Sequence, residues 1–154
     1  MATTRKAITA LMMLIAISLL LSSGGCSKND PDPTPARKTS YSLMVKDVLG
    51  VTGIATFTET SSTLTTISIV LTGALSGTRP AELCMNSAVE GGTTVITLNP
   101  VDASGNSSTS VTSMTYAQLI VYDGFIKVVK SSSEPTVILA QGDIGGNVIT
   151  STNI

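Results

Sequence analysis

From residue 41 onward, apolar and polar residues alternate with a period of two. The clearest case is 64–72, in which Ile67, Ile69 and Leu71 share one face while Thr66 and Ser68 share the other. Such alternation, rich in β-branched residues, is typical of a strand with one buried face. Similar patterns predict six further strands, at Tyr41–Val48, Gly53–Thr58, Ala81–Met85, Thr93–Leu98, Phe125–Lys130 and Thr136–Gln141.

Turn-forming residues separate these segments roughly every 8 to 12 residues, which favours an all-β sandwich or barrel. Because no long helical crossover is present to support parallel strands, we predict an antiparallel β-sandwich of about seven short strands. One short helix is expected within 115–124. Thr115 can cap its start and Gly124 can close its end in the left-handed conformation. The polar run 99–110 predicts an exposed loop.

The N-terminal residues follow a different pattern. Arg5 and Lys6 precede an apolar run from Ala7 to Leu21, which small residues separate from Cys26. The run is shorter than the roughly 20 residues that a transmembrane helix needs. A basic start, a short apolar run and small residues are typical of an export signal, so a signal peptide is predicted.

The residues around Cys26 resemble the lipobox at which lipoprotein signal peptidase cuts before a diacylglyceryl-modified cysteine. The usual box has Leu three residues before the cysteine, where this chain has Ser23, and the nearest leucine is Leu21. The resemblance implies lipidation of Cys26, and two or three acyl chains anchor a protein stably to a membrane. The alternative is ordinary secretory cleavage within 22–25, which leaves Cys26 as a spare thiol.

Residues 26–40 are polar and carry Pro31, Pro33 and Pro35 at alternate positions. This composition favours an extended, semi-rigid spacer. The residues after Cys26 also resemble a surface-export signal of lipoproteins in some Gram-negative bacteria, and a solvated tether without an address is the alternative. The predicted organisation is therefore a signal peptide at 1–25, a lipidated tether at 26–40 and a β domain at 41–154. We expect the protein at the bacterial outer membrane, on its periplasmic or cell-surface face.

Composition narrows the functions open to this domain. The chain contains no histidine, which excludes Ser-His-Asp and Cys-His relays and imidazole-ligated zinc or copper. From residue 41 onward, four basic residues face eight acidic ones, and aromatic residues make up 3% of the chain. This balance disfavours nucleic-acid binding. We expect no catalytic residues and no cofactor, with the membrane, reached through the lipid anchor, and an unidentified protein or surface ligand as partners.

Glu82 and Cys84 lie two residues apart on a predicted strand, so their side chains point to the same face. A carboxylate and a thiolate could begin a metal site. The alternative is that Cys84 is a small apolar filler and Glu82 a charge at the rim. With Cys26 acylated, Cys84 has no partner for a disulfide within the chain.

The remaining acids stand singly along the sequence. Asp102, Asp123 and Asp143 could form a calcium site only if distant loops converged. Asp143 lies in a glycine-rich segment, directly after Gly142 and two residues before Gly145, and is interpreted instead as a turn-forming residue that binds nearby backbone amides.

The order of several short motifs resembles that of the CHRD (chordin-type) domain. The resemblance extends over nearly all of 41–147 and implies a β-sandwich found in secreted and surface proteins of bacteria, mostly of unassigned function. The segments that carry it are 50–57, 67–71, 73–77, 80–86, 90–92, 98–102, 115–116, 123–128 and 140–145.

That family has a His-x-His pair after the proline and another histidine in the strand that follows Asp-Gly. The corresponding positions here are Glu82, Cys84 and Val129, so all three imidazoles are missing. The chemistry that those histidines could support is therefore not carried over to this chain. Together with the lipobox, the tether and the lack of catalytic constellations, this favours a non-catalytic binding or structural domain. The alternative is a degenerate metal-binding or redox module that uses Glu82 and Cys84. A third class is a subunit that pairs its strand edges with a protein partner.

Overall fold

The computed structural model describes residues 36–73 and 76–148, so the predicted signal peptide, Cys26 and most of the predicted tether lie outside the described residues. The described residues form eight strands and one short helix, and the predicted antiparallel β fold is confirmed. The strands are β1 Lys38–Val45, β2 Thr52–Ser61, β3 Leu64–Thr72, β4 Arg79–Met85, β5 Thr94–Val101, β6 Asn106–Val111, β7 Asp123–Ser131 and β8 Glu134–Gly145, and the helix α1 is Tyr116–Leu119.

The strands follow one another in the order β5-β4-β7-β8-β1-β2-β3-β6. β1 belongs to both halves of this arrangement, because residues 38–43 pair with β2 whereas Met44 and Val45 pair with β8. We call β1, β2, β3 and β6 the threonine-rich half, and β4, β5, β7 and β8 the charged half. All the pairings are antiparallel, as a chain of short connections requires.

β5 and β6 lie at opposite ends of this order and are consecutive in the chain. The Asp102 carboxylate accepts hydrogen bonds from the amides of Ser104 and Asn106, at 2.8 and 3.0 Å, and so holds a tight turn between them. Beyond the turn, the backbone N–H of Asn99 donates to Thr109 Oγ1 at 2.8 Å, and the Ser107 hydroxyl donates to the backbone carbonyl of Asn99 at 2.6 Å. Side chains thus join the two edge strands and bring the sandwich close to a closed barrel.

The structure corrects the prediction of an exposed loop at 99–110. Residues 99–101 belong to β5 and 106–110 to β6, which pairs with β3 along its whole length. The prediction was wrong because the segment is polar, and polarity here reflects the solvent face of an edge strand.

The core lies between the inner faces of the two halves. Phe57 is fully buried, and its ring packs edge-on against that of Tyr41 with the two ring centroids 5.2 Å apart. The charged half contributes buried inward residues such as Leu83, Ile126 and Leu139. Burial of this apolar surface is the main force that stabilises the domain.

The helix α1 is shorter than the predicted segment 115–124. Thr115 forms the expected cap in a capping box with Gln118, and Tyr116 and Leu119 are buried against the core. Gly124 does not close the helix. It lies within β7, where its backbone pairs with β4 and β8. Across the ranges 36–73 and 76–148, no helix has the length and apolar character needed to span a bilayer.

Candidate functional site

The structure places Glu82, Cys84 and Val129 on one face of two paired strands. Glu82 pairs with Lys127 and Cys84 with Phe125 across β4 and β7. Val129 follows Lys127 by two residues, and side chains two apart on a strand share a face. These residues lie opposite the inward-facing side chains of the core, on the outer face of the charged half.

Glu82 is part of a hydrogen-bonded ion pair. Its Oε2 accepts from Thr94 Oγ1 at 2.7 Å and from Lys127 Nζ at 3.0 Å. The hydrogen bond from Thr94 and the interaction with Lys127 lower the pKa of Glu82, and the hydrogen bond to Glu82 raises the pKa of Lys127. Both groups are therefore charged near neutral pH and neutralise each other.

Cys84 is fully buried beside this pair, with its Sγ 4.0 Å from Thr94 Oγ1. Burial raises the pKa of the thiol above its ordinary value, although Lys127 acts in the opposite direction. The thiol consequently stays protonated near neutral pH, whereas nucleophilic attack and metal binding require the thiolate. Val129 is also buried and carries no ligand atom.

The single acids fill separate structural roles. Asp102 holds the β5–β6 turn, and Asp123 Oδ1 accepts from Asn147 Nδ2 at 2.6 Å. Asp143 was predicted to form a turn, and that prediction was wrong. It lies within β8, and its Oδ1 accepts from the amide of Ala88 at 2.6 Å, 55 residues away in the chain. Among the residues that the structure describes, no three His, Cys, Asp or Glu side chains group as a metal site.

Three structural partners could not be predicted from the sequence. Lys127 and Thr94 were not singled out, because the partners of Glu82 depend on the register of three strands. Gln141 was missed as well. Its Nε2 donates to the Ala88 carbonyl at 3.1 Å, so Gln141 and Asp143 together hold Ala88. The only local signal for this contact is the spacing of two polar residues on alternate positions of β8.

Comparison of this chain with known protein families, with curated proteins and with solved structures finds no match. On the outer face of the charged half, Glu82 and Cys84 provide a neutralised carboxylate and a protonated thiol. Within the described residues, the thiol is not hydrogen-bonded to the general base that nucleophilic catalysis would need.

Proposed function

We propose that this protein is a lipid-anchored bacterial lipoprotein of the outer membrane, with a non-catalytic CHRD-like domain that binds a partner or serves a structural role. The export signal, Cys26 and the proline-rich spacer support the anchoring. In this view, the acyl chains on Cys26 hold the protein at the membrane, and the spacer keeps the β domain in water.

The main support for a non-catalytic role is the neutralised charge of Glu82 and the protonated thiol of Cys84. Lys127 neutralises the carboxylate, and burial keeps the thiol protonated. By the resemblance, these positions correspond to histidines of the CHRD family. Their shared face with Val129 is the arrangement that a common site in such relatives would require. In this chain, the face contributes to stability and is not a reactive centre.

Mass measurement of the protein from cells tests the anchoring. We expect the mature protein to begin at Cys26 and to carry acyl chains, and globomycin to cause the precursor to accumulate. A Cys26→Ser variant should lose the acyl mass, whereas the matched variant Cys84→Ser should retain it. An unmodified mature protein, without accumulation of precursor, would contradict the proposal.

Native mass spectrometry after loading with zinc, copper or calcium separates the non-catalytic role from the metal-binding alternative. We expect no stoichiometric adduct. A stoichiometric adduct that disappears in Cys84→Ser, or in Glu82→Gln, would favour a metal module and contradict our proposal. Acylation and metal binding are read independently, so either half of the proposal can fail alone.

A further inference from the structure

A groove of about 440 Å³ lies on the outer surface where β1 and β8 run side by side. Outward-facing residues of the two strands form its floor. The segment 86–92 contributes one wall through Ala88 and Val89, and Val148 lies on another side. The groove is separate from Glu82 and Cys84, which do not line it.

The wall at Ala88 is held at two points. The Asp143 carboxylate accepts from the Ala88 amide, and Gln141 Nε2 donates to the Ala88 carbonyl. Ser87 and Glu90 close the same segment on itself, because the Ser87 hydroxyl donates to Glu90 Oε2 at 2.7 Å. The groove is therefore already formed without an occupant, as ligand sites usually are.

Two acceptor atoms in the groove have no donor among the described residues. Gln141 is only 6% exposed and lines the groove, yet its Oε1 accepts no hydrogen bond from the described part of the chain. Asp143 uses Oδ1 for Ala88, and its Oδ2 likewise accepts none. Both oxygens are accessible from the groove, since neither is among the fully buried polar atoms without a partner in the described residues. An amide oxygen and a carboxylate oxygen, two residues apart on one face of β8, favour a ligand that donates hydrogen bonds and carries positive charge.

The strand register arranges charge along the groove. Met44 pairs with Gln141, and the amide of Lys46 donates to the Leu139 carbonyl at 2.9 Å. Lys46 and Asp143 thus lie on opposite sides of Gln141 along the groove, which continues past Asp143 to Ser40. From Leu139 to Asp143, the strand rises by about 13 Å at roughly 3.3 Å per residue. The exposed side chain of Met44 adds an apolar surface to this line.

We propose that this groove binds short, extended peptides with free termini. The peptide ammonium group lies at Asp143, its carboxylate lies at Lys46, and a backbone N–H donates to Gln141 Oε1. A chain of about three residues spans roughly 10 Å, and the flexible side chain of Lys46 can reach the remaining distance along the strand from Asp143. Met44, Val89 and Val148 contact the peptide side chains. This proposal rests on the proposed function, since it names a ligand for a domain that acts by binding. It requires no catalysis in the groove.

Peptide titration of the full chain in mild detergent, followed by NMR of the ¹⁵N-labelled protein, tests the site. The probe is the tripeptide Ala-Leu-Ala with free termini. We expect the amide signals of Ala88, Gln141 and Asp143 to shift, with a millimolar dissociation constant typical of a small, open site. N-acetylation of the probe should weaken binding by about tenfold, because it removes a charge-assisted hydrogen bond.

An Asp143→Asn variant provides the matching change on the protein. Asparagine keeps an oxygen to accept from the Ala88 amide but loses the charge, so we expect the same tenfold weakening. Asp102→Asn makes the same charge change at the β5–β6 turn and should bind the probe as the unaltered chain does. If Asp143→Asn fails to fold, the acetylated probe decides by itself, because it leaves the protein unchanged.

The proposal is overturned if no groove signals shift at up to about 10 mM probe, a concentration that reaches the weak affinities of small sites. Equal affinity of the free and acetylated probes would also overturn it. The acyl mass on Cys26, measured on the same preparation, separates the two proposals. An acylated protein that binds no peptide refutes the groove alone, and a non-acylated one that binds peptide refutes the anchoring alone.

Discussion

The outward-facing residues of the two halves are buried to very different degrees. In the threonine-rich half, Ile54 and Val70 pair across β2 and β3 and are 52% and 53% exposed, and their neighbours are threonines and serines. In the charged half, the outward-facing Phe125 and Val129 of β7 are each 3% exposed. One half therefore has a single buried face, whereas β7 is buried on both.

The segment 86–92 helps to explain this difference. Phe125 pairs with Asp143, and Asp143 holds the amide of Ala88. The segment is thus fixed over the part of the sheet where Phe125 and Cys84 lie. No such contact fixes a loop over Thr56 and Ser68 within the described residues, and these side chains remain partly accessible. A strand face that points away from the central core can therefore still be covered when polar residues on the neighbouring strand hold a loop in place.

Phe125→Ala should cause the largest loss of stability among the substitutions that test this difference. Removal of a buried phenylalanine ring is expected to lower the free energy of unfolding by about 3–5 kcal/mol, because it leaves a cavity. Ile54→Ala is the matched change on the outer face of the other half and should cost less than about 1 kcal/mol. Urea denaturation of both variants, with unchanged m-values, measures the difference. Equal losses would show that the outer face of β7 is not buried in solution.

Gly142→Ala should have an intermediate effect, at the boundary of the two halves. A methyl group at Gly142 would lie 2.0 Å from the carbonyl oxygen of Ser42, so β8 would have to move away from β1. We expect a loss of about 1–3 kcal/mol, which is typical of overpacking. Gly146→Ala is the control, since its nearest atom is the Val121 carbonyl oxygen at 3.4 Å, an ordinary contact. Thermal unfolding that leaves both variants equally stable would contradict the close approach of the strands.

Glu82→Gln should have the smallest effect. The ion pair with Lys127 is partly exposed, so its loss is expected to cost about 1 kcal/mol or less near neutral pH. Because folding lowers the pKa of Glu82, the contribution is present above its ordinary value of 4.5 and is lost as the pH falls through the lower folded value. The raised pKa of Lys127 has the opposite sign, so its contribution is present below 10.5 and is lost as the pH rises through the higher folded value.

Unfolding free energies of the unaltered chain and of Glu82→Gln, measured at neutral pH and at pH values below the folded pKa, test this dependence. The two proteins should differ at neutral pH and converge in acid. Glu134→Gln, which breaks the more exposed pair with Lys130, should show a smaller difference. A difference for Glu82→Gln that persists in acid would assign the effect to packing and not to charge.

The sequence anticipated those elements whose signals are local. The alternation at 64–72 predicted β3 with its bounds, and Thr115 predicted the start of α1. Prediction from the sequence was wrong where an element is defined by its pairing with a distant strand. β6 is polar because only one of its faces is buried, against the core, while its backbone pairs with β3, so its sequence resembled a loop. Gly124 resembled a helix end because a glycine after an apolar segment is locally the same in both settings.

The candidate site shows the same division. The shared face of Glu82 and Cys84 follows from their spacing, since the strand period is two. Their chemistry does not follow from spacing, because it depends on Lys127 and Thr94, which other strands bring to Glu82. The groove is still less visible in the sequence, as its wall and floor are joined by contacts between Ala88 and residues more than 50 positions away.

By itself, the sequence determined the antiparallel β character of the domain, most of its strands and the absence of histidine chemistry, because these depend on residue type and short-range period. Only the tertiary structure decided which half is covered on both faces, which charges neutralise each other and where a groove is formed. These properties depend on register and on loops that return from distant parts of the chain. Local periodicity does not predict these properties, because alternation specifies the face on which a side chain lies but not which residues from other strands or loops it contacts.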